Sequence, residues 1–172
     1  MATSSLTLVV ATELAPAIIG PRGSAVRRIS GASGAKIHLS DHIDAYDDRK
    51  CTISGTAEQV LAAYHLVSET LRQEANIPPS APASTRVVVP DAPTLVGEQY
   101  LASLRTKSGA SVASTAAPPP AGAKERLLTI TARAETQVSR AVRLLVDALA
   151  ARKSARESSL SKRWDFATEY KD

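Results

Sequence analysis

The residues whose types and spacing could carry chemistry are concentrated in one short stretch, Gly20-Pro21-Arg22-Gly23. Two glycines enclose a proline and an arginine, and the apolar pair Ile18-Ile19 precedes them. Because glycine has no Cβ, the backbone here can turn sharply and approach a ligand closely. A helical pattern starts at Ser24, and a helix N-terminus offers unpaired N–H groups and the positive end of a dipole. These features predict a loop that can hold a phosphate backbone, with Arg22 supplying a full charge.

A corner between two helices is the alternative interpretation of the same stretch, because close packing also demands glycine. The G-x-x-G pattern alone does not distinguish the two interpretations. Arg22, Arg27 and Arg28 all lie in the loop or just after it. Such local clustering of charge attracts a polyanion more effectively than net charge does. The charges therefore favour the phosphate-binding interpretation.

The remaining reactive side chains do not form a catalytic or metal-binding pattern. His38, His42 and His65 are scattered along the chain, and the single cysteine, Cys51, lies in a strand pattern typical of a buried thiol. No nucleophile–base arrangement and no G-x-x-x-x-G-K-[ST] motif is present in the sequence. We therefore expect neither an enzyme nor a bound metal or cofactor.

Acidic residues cluster at a single place in the first half of the chain. Their spacing is not that of an EF-hand loop, and the bidentate glutamate of such a loop is missing. The sequence predicts a solvated acidic loop formed by Asp41, Asp44, Asp47 and Asp48.

The composition limits the classes of function. Of the 172 residues, 44% are hydrophobic and only 3% are aromatic, which predicts aliphatic cores and disfavours a nucleic-acid surface built from stacked rings. The formal charge of +4 is basic without a polybasic arm. No apolar run is long enough to span a membrane, and no signal peptide is evident. We expect a protein of the cytoplasm, the nucleus or both, without membrane contact.

Hydrophobic periodicity predicts the elements that position the glycine loop. Gly34 is placed to end the helix that follows the loop. Ile37 and Leu39 fall on one face of the next strand, with Lys36 and His38 on the other. The predicted elements of the first 76 residues are a strand at 5–11, a short helix at 15–19, a helix from the loop to about 32, strands at 35–39 and 50–54, and a helix from 57 to about 75.

The same order of elements recurs after a Pro/Ala-rich segment at 77–84, which we interpret as a linker. The second copy shows Leu95-Val96-Gly97-Glu98-Gln99-Tyr100 where the first has its loop, so one glycine is missing and the central charge is acidic. Its predicted elements are a strand at 86–90, a helical turn at 92–96, a helix ending near 109, a flexible loop at 114–124, a strand at 126–131 and a helix from 134 to about 152.

A basic and aromatic extension at 152–172 follows the last predicted helix. A solvated helix end, whose cations suit the negative end of the helix dipole, is one interpretation. The other is a phosphate contact or a docking segment anchored by Trp164, Phe166 and Tyr170.

In this combination the chain resembles a tandem of K-homology (KH) domains of the eukaryotic type I, in the group that includes poly(C)-binding and Nova-like proteins. The resemblance is detailed over 4–76 and covers 85–151 in outline. It is carried by Ile18-Ile19-Gly20 with Gly23, by Val26 and Ile29, by the run Gly34-Ala35-Lys36-Ile37-His38-Leu39-Ser40, and by Arg49 before Cys51-Thr52-Ile53-Ser54-Gly55.

The resemblance implies an α+β fold of two βααββα domains, each a three-stranded antiparallel sheet packed on three helices. The implied organisation is a KH domain at 1–76, the linker at 77–84, a degenerate KH domain at 85–151 and the extension at 152–172. It also implies a groove that holds about four nucleotides of single strand. The implied binding residues are Ile18, Ile19, Gly20, Pro21, Arg22, Gly23, Ser24, Val26, Arg27, Ile29, Ile37, His38, Leu39 and Arg49.

Within this resemblance the first loop departs from the usual family pattern, which has a lysine and a glycine or arginine between the two glycines. Pro21 removes an N–H donor but stiffens the loop, and Arg22 keeps a cation. In the second copy Glu98 would repel phosphate. The first copy is therefore expected to bind, and the second to serve packing or protein contact.

The resulting hypothesis is a protein that binds single-stranded RNA, or single-stranded DNA, through the first groove and acts in mRNA processing, transport, stability or translation. The alternative is a scaffold of a ribonucleoprotein complex, with protein docking or self-association through the second copy or the extension.

Overall fold

The computed structural model describes the backbone of residues 3–40, 48–116 and 124–168, and the side chains of these residues except 116 and 161–168. The first half contains β1 (Thr3–Ala11), α1 (Ala15–Ile19), α2 (Ser24–Ser33), β2 (Lys36–Leu39), β3 (Asp48–Thr56) and α3 (Ala57–Glu74). The second half contains β4 (Ala83–Pro90), α4 (Pro93–Val96), α5 (Glu98–Ser108), β5 (Ser111–Ala116), β6 (Glu125–Ala132) and α6 (Glu135–Thr168). The predicted α+β fold class is confirmed.

Local sequence signals account for the helix boundaries. Thr56 caps α3 by accepting a hydrogen bond from the Gln59 backbone N–H, and the Gln59 side chain accepts one from the Thr56 backbone N–H. Gly34 and Gly109 end α2 and α5 with left-handed backbone conformations, which glycine adopts at little cost.

The strands form one antiparallel sheet in the order β2-β3-β1-β4-β6-β5. The two expected three-stranded sheets are both present, but β1 and β4 join them edge to edge. Thr7 pairs with Val88 and Leu8 with Val87 at this junction. Because β1 and β4 are the first strands of their halves, the junction brings like elements together around an approximate two-fold axis.

The helices share a hydrophobic core that is continuous between the halves. Helix α6 contacts β1, β4, β6, α3 and α5, so its apolar face serves both halves. The largest side chains with essentially no exposed surface are Leu6, Ile18, Ile29, Ile53, Tyr64, Leu95, Leu104, Leu128, Ile130 and Leu145.

Polar contacts also cross the junction and correct one expectation. Asp48 does not lie in a solvated loop: it is the first residue of β3, is 6% exposed, and accepts two hydrogen bonds from the Arg86 guanidinium at 2.8 and 3.1 Å. Lys50 in turn donates to Glu125 at 3.2 Å. Each half therefore contributes an acid from the start of its last strand, β3 or β6, to a base of the other half. Asp41, Asp44 and Asp47 lie outside the described residues.

Several element boundaries differ from the predicted ones. β5 runs to Ala116 and so includes the start of the predicted loop at 114–124, because pairing with β6 orders a segment that its small polar side chains did not identify. β4 starts at Ala83, inside the predicted linker. α6 continues to Thr168, so the extension is helical over most of its length. The side chains of Trp164 and Phe166, and Tyr170 as a whole, lie outside what the structure describes.

A membrane span is not found among the helices of the described residues, none of which is both long and apolar enough.

Candidate nucleic-acid interface

In the loop between α1 and α2, two positions have backbone conformations that glycine adopts freely and that other residues adopt only with strain. Gly20 has φ 71° and Gly23 has φ 74°. A Cβ on Gly20 would lie 2.6 Å from both the backbone nitrogen and the Cβ of Ala25. Gly20 therefore allows both the turn and the close approach of α2. Arg22 also has a positive φ, 54°, which is uncommon for a residue with a side chain.

The loop leads directly into the exposed N-terminus of α2. Residues 21–23 form one 3₁₀ turn, in which the Gly23 N–H donates to the Gly20 carbonyl at 3.2 Å. No side chain caps α2 within the described residues. The positive end of the helix dipole thus lies beside the loop and is available to an anion.

The cations of this region surround the loop. The side chains of Arg22, Arg27 and Arg28 are exposed, as are Pro21 and Ser24. The Arg27 guanidinium lies 3.3 Å from the point where a Cβ on Gly23 would be. None of the five described ion pairs includes these arginines. The described residues of the loop therefore present positive charge without acidic compensation.

An apolar strip borders the loop, although it is smaller than the sequence predicted. Ile19, Val26, Ile37 and Leu39 are half-buried and keep surface that a ligand can contact. Ile18 and Ile29 have no exposed surface, so these two proposed floor residues belong to the core and support the strip from below. The resemblance identifies apolar positions around the loop but not which of them the packing leaves at the surface.

His38 and Arg49 are two further residues that the resemblance implied for binding, and they lie in different surroundings. His38 is exposed on the face of β2 opposite to Ile37 and Leu39, so its side chain does not border the strip. Arg49 Nε donates to the Ser40 carbonyl at 2.7 Å, and the Lys50 N–H donates to the Ser40 hydroxyl at 3.1 Å. Arg49 thus holds the end of β2 in place.

The corresponding region of the second half lacks a loop. Helices α4 and α5 are joined by Gly97 alone, whose φ of −63° is ordinary. Glu98 accepts a hydrogen bond from Arg105 at 2.7 Å, and Arg105 donates twice more to the Val112 carbonyl of β5. The sequence identified the missing glycine, but nothing in it indicated that Arg105 would link α5 to this edge strand.

A reactive site among the described residues could be formed by the cysteine thiol or by a cluster of metal-ligating side chains. Cys51 is fully buried, and burial raises the pKa of its thiol to about 12, which keeps it protonated. Within the described residues, no group of three or more histidine, cysteine, aspartate or glutamate side chains is arranged to hold a metal ion.

Solved structures similar to this chain include two from Pyrococcus horikoshii OT3. A chain of the a/eIF2alpha–aDim2p–rRNA complex is 14% identical, with 91% of this chain and 95% of that chain covered and a TM-score of 0.33. The structure of Dim2p is 15% identical, with 84% and 90% covered and a TM-score of 0.34. The sequence model of the KH domain matches residues 5–69. This match spans the strands β1–β3, the glycine loop and most of α3, so the first half of the chain contains a KH domain.

Proposed function

We propose that this protein binds single-stranded RNA across the loop at residues 20–23 and the apolar strip beside it. The observation that carries the proposal is the exposed, uncompensated cluster of Arg22, Arg27 and Arg28 around a positive-φ loop at an uncapped helix N-terminus. Backbone N–H groups, a helix dipole and arginines together form a good site for phosphate. The KH domain match over 5–69 independently supports a nucleic-acid ligand.

The geometry suggests how the strand would lie. The sugar-phosphate backbone follows the loop and the first turn of α2, and the bases turn toward Ile19, Val26, Ile37 and Leu39. Such a strip can contact the faces of bases only if they are unstacked, which favours single strands over duplexes. With few aromatic residues in the chain, the bases rest on aliphatic side chains. Their edges then face the backbone of β2, whose end Arg49 fixes through Ser40.

The RNA preference follows from the same resemblance and remains part of the proposal. We expect a motif of about four nucleotides, rich in pyrimidines, and weak binding by one such groove. Single-stranded DNA should bind less well where the 2′-hydroxyl is contacted. A role in mRNA processing, transport, stability or translation, in the cytoplasm, the nucleus or both, would suit a protein of this kind.

The second half is proposed to support the first half rather than to bind RNA in the same manner. Its α4–α5 joint has no phosphate-binding loop, and Arg105 is engaged with Glu98 and Val112. Helix α6 and β4 instead complete the core over β1. Docking of a protein partner on this half is the alternative function that remains if RNA does not bind.

The test is to place carboxylates in the loop. The double variant Pro21→Asp/Arg22→Asp adds repulsion where phosphate would lie, and aspartate tolerates the positive φ of Arg22 better than most residues. We expect its affinity for short C/U-rich RNA to fall about tenfold or more, with little change in stability. The matched control is Thr94→Asp/Gln99→Asp, which adds two exposed carboxylates to the corresponding joint of the second half and should leave affinity unchanged. Equal binding by the wild type and the loop variant, measured by fluorescence anisotropy, would contradict the assignment.

A further inference from the structure

The proposed groove accommodates about four nucleotides, so an RNA-binding chain of this size needs a further contact with the same strand to gain affinity. The second half cannot provide it in the same way, because its joint lacks a loop and carries the Glu98–Arg105 pair. A further contact must therefore lie elsewhere on the surface. The candidate below rests on the proposed RNA-binding function.

A groove between α3 and α6 has the chemistry of a phosphate contact. Arg140 and Arg143 are exposed and stand three residues apart on α6, so they lie on one face of the helix. The hydroxyl groups of Thr136 and Ser139 line the same groove, and His65 faces it from α3. These side chains can all donate to phosphate oxygens, and the two arginines can do so with two N–H groups each.

One acid, Glu58, lines this groove among the described residues. It accepts hydrogen bonds from Arg143 at 3.1 and 3.3 Å, but the two side chains are 81% and 55% exposed. Exposed ion pairs contribute little, since water and salt screen them. A phosphate can therefore take the place of Glu58 at Arg143, while Arg140 has no ion pair within the described part of the chain.

The position of this groove fits a strand that leaves the glycine loop. Helix α2 starts at the loop and packs on α3, and α3 packs on α6. The groove between α3 and α6 is thus one helix further along the same layer, roughly 15 Å from the axis of α2 at ordinary helix spacing. The groove lies beside the C-terminal end of α2, because Gln59, the neighbour of Glu58, lies close to Gly34. A strand that reaches it from the loop therefore also follows α2 for roughly 15 Å. We propose that the α3–α6 groove is a second backbone contact for RNA, in which Arg140 and Arg143 bind phosphates of the nucleotides flanking the motif.

The test compares RNAs of two lengths, about four and about twelve nucleotides, both C/U-rich and sharing one core motif. The variant Arg140→Ala/Arg143→Ala should bind the short RNA like the wild type and bind the long RNA about fivefold more weakly. The slope of log affinity against log salt for the long RNA should decrease by about 1.4, because each phosphate contact with a single strand contributes about 0.7. The matched control is Lys107→Ala/Lys124→Ala, which removes two exposed cations of the second half and should change neither affinity.

Glu58→Gln should change the affinity for the long RNA in the opposite direction. Removing the one acid of the groove should strengthen binding of the long RNA about twofold and leave the short RNA unaffected. Unchanged long-RNA affinity in both groove variants, with normal binding by the wild type, would overturn this inference while leaving the loop assignment intact. Failure of the wild type to bind either RNA would instead overturn the proposed function itself. Equal losses for the Arg140/Arg143 variant and the Lys107/Lys124 control would show general charge attraction, and would also overturn the inference.

Discussion

The two halves of this chain have the same order of elements but differ at the point where a ligand would bind. In both, a helix ends at a left-handed glycine, Gly34 or Gly109, and leads into an edge strand. Counting back from these glycines, Ile29 corresponds to Leu104, and both are buried. Arg27 and Arg28 correspond to Ala102 and Ser103. The core positions are kept apolar, whereas the cations at positions 27 and 28 have no counterpart in the second half.

The difference extends to the edge strand. Ser30, four residues before Gly34, donates to the Ala35 carbonyl. Arg105 holds the same position before Gly109 but reaches the Val112 carbonyl and pairs with Glu98. In the second half the long side chain of Arg105 thus connects helix α5 to strand β5. The first half has only the Ser30 hydroxyl at this position and a more open strip. The same order of elements therefore carries an open, cationic surface in one half and an internally hydrogen-bonded surface in the other.

The largest expected effect concerns the shared core. Cys51 lies opposite Leu8 in the first half, and Leu128 lies opposite Val87 in the second, so the two residues are equivalent and both fully buried. Leu128→Ala should lower the free energy of unfolding by about 3 kcal/mol, because it leaves a cavity. Cys51→Ala removes less volume and should cost about 1 kcal/mol. Urea unfolding followed by circular dichroism should show one transition for each variant, since α6 joins the cores. Separate transitions for the two halves would contradict a continuous core.

The next-largest expected effect distinguishes a loss of stability from a loss of RNA affinity. Gly20→Ala should destabilise the protein by about 2 kcal/mol, because its positive φ and the contact with Ala25 impose strain. Gly97→Ala should destabilise it similarly, since the new Cβ would meet the Pro93 carbonyl at 2.4 Å. RNA titrations under conditions where both variants stay folded should show a loss of affinity for Gly20→Ala alone. Loss of affinity in both variants would mean that binding depends on overall stability.

A smaller effect is expected at the junction. Asp48→Asn removes the carboxylate that binds the Arg86 guanidinium. It should lower the free energy of unfolding by about 1.5 kcal/mol, because Asp48 is buried and hydrogen bonds to charged groups are stronger than those between neutral groups. Lys50→Ala, which breaks the equivalent but more exposed contact with Glu125, should cost about 0.5 kcal/mol. Thermal unfolding of the two variants provides the measurement. Equal costs would show that burial does not separate these two ion pairs.

The effect that is smallest at neutral pH concerns the titration of Cys51. Burial raises the pKa of Cys51 to about 12 in the folded chain, while an unfolded cysteine titrates near 8.5. The unfolded state therefore releases this proton first as the pH rises, and stability should decrease with pH from about 8.5 upward. Comparing the pH dependence of unfolding in the wild type and in Cys51→Ala isolates this contribution. The free energy of unfolding should decrease less steeply with pH in the variant than in the wild type. Identical slopes would contradict this contribution of Cys51.

The sequence predicted the elements well where periodicity and capping signals agree, as in α2, α3 and the strands of the first half. It did not identify β5, because small polar residues form a strand there only through pairing with β6. It also placed Asp48 in a solvated loop, since the arginine that binds it lies 38 positions away in the chain. Long-range pairing of this kind leaves no local signal.

The candidate site was predicted only in part, again because long-range packing leaves no local signal in the sequence. The glycines and arginines of the loop are local features, and the structure brings them together. Ile18 and Ile29 were implied as binding residues by the KH resemblance, yet both are fully buried. The contact of Arg105 with Val112 depends on the distance between a helix and an edge strand, which spacing in the sequence does not determine.

The most direct measurement of the central claim is an NMR titration with a short C/U-rich RNA. The backbone amide signals of Gly20, Gly23 and Ser24 should shift on addition of RNA, together with those of β2. The signals of Gly97, Glu98 and Gln99 at the joint of the second half should stay in place. Shifts confined to the second half, or equal in both halves, would contradict the account that only the first half carries the RNA-binding loop.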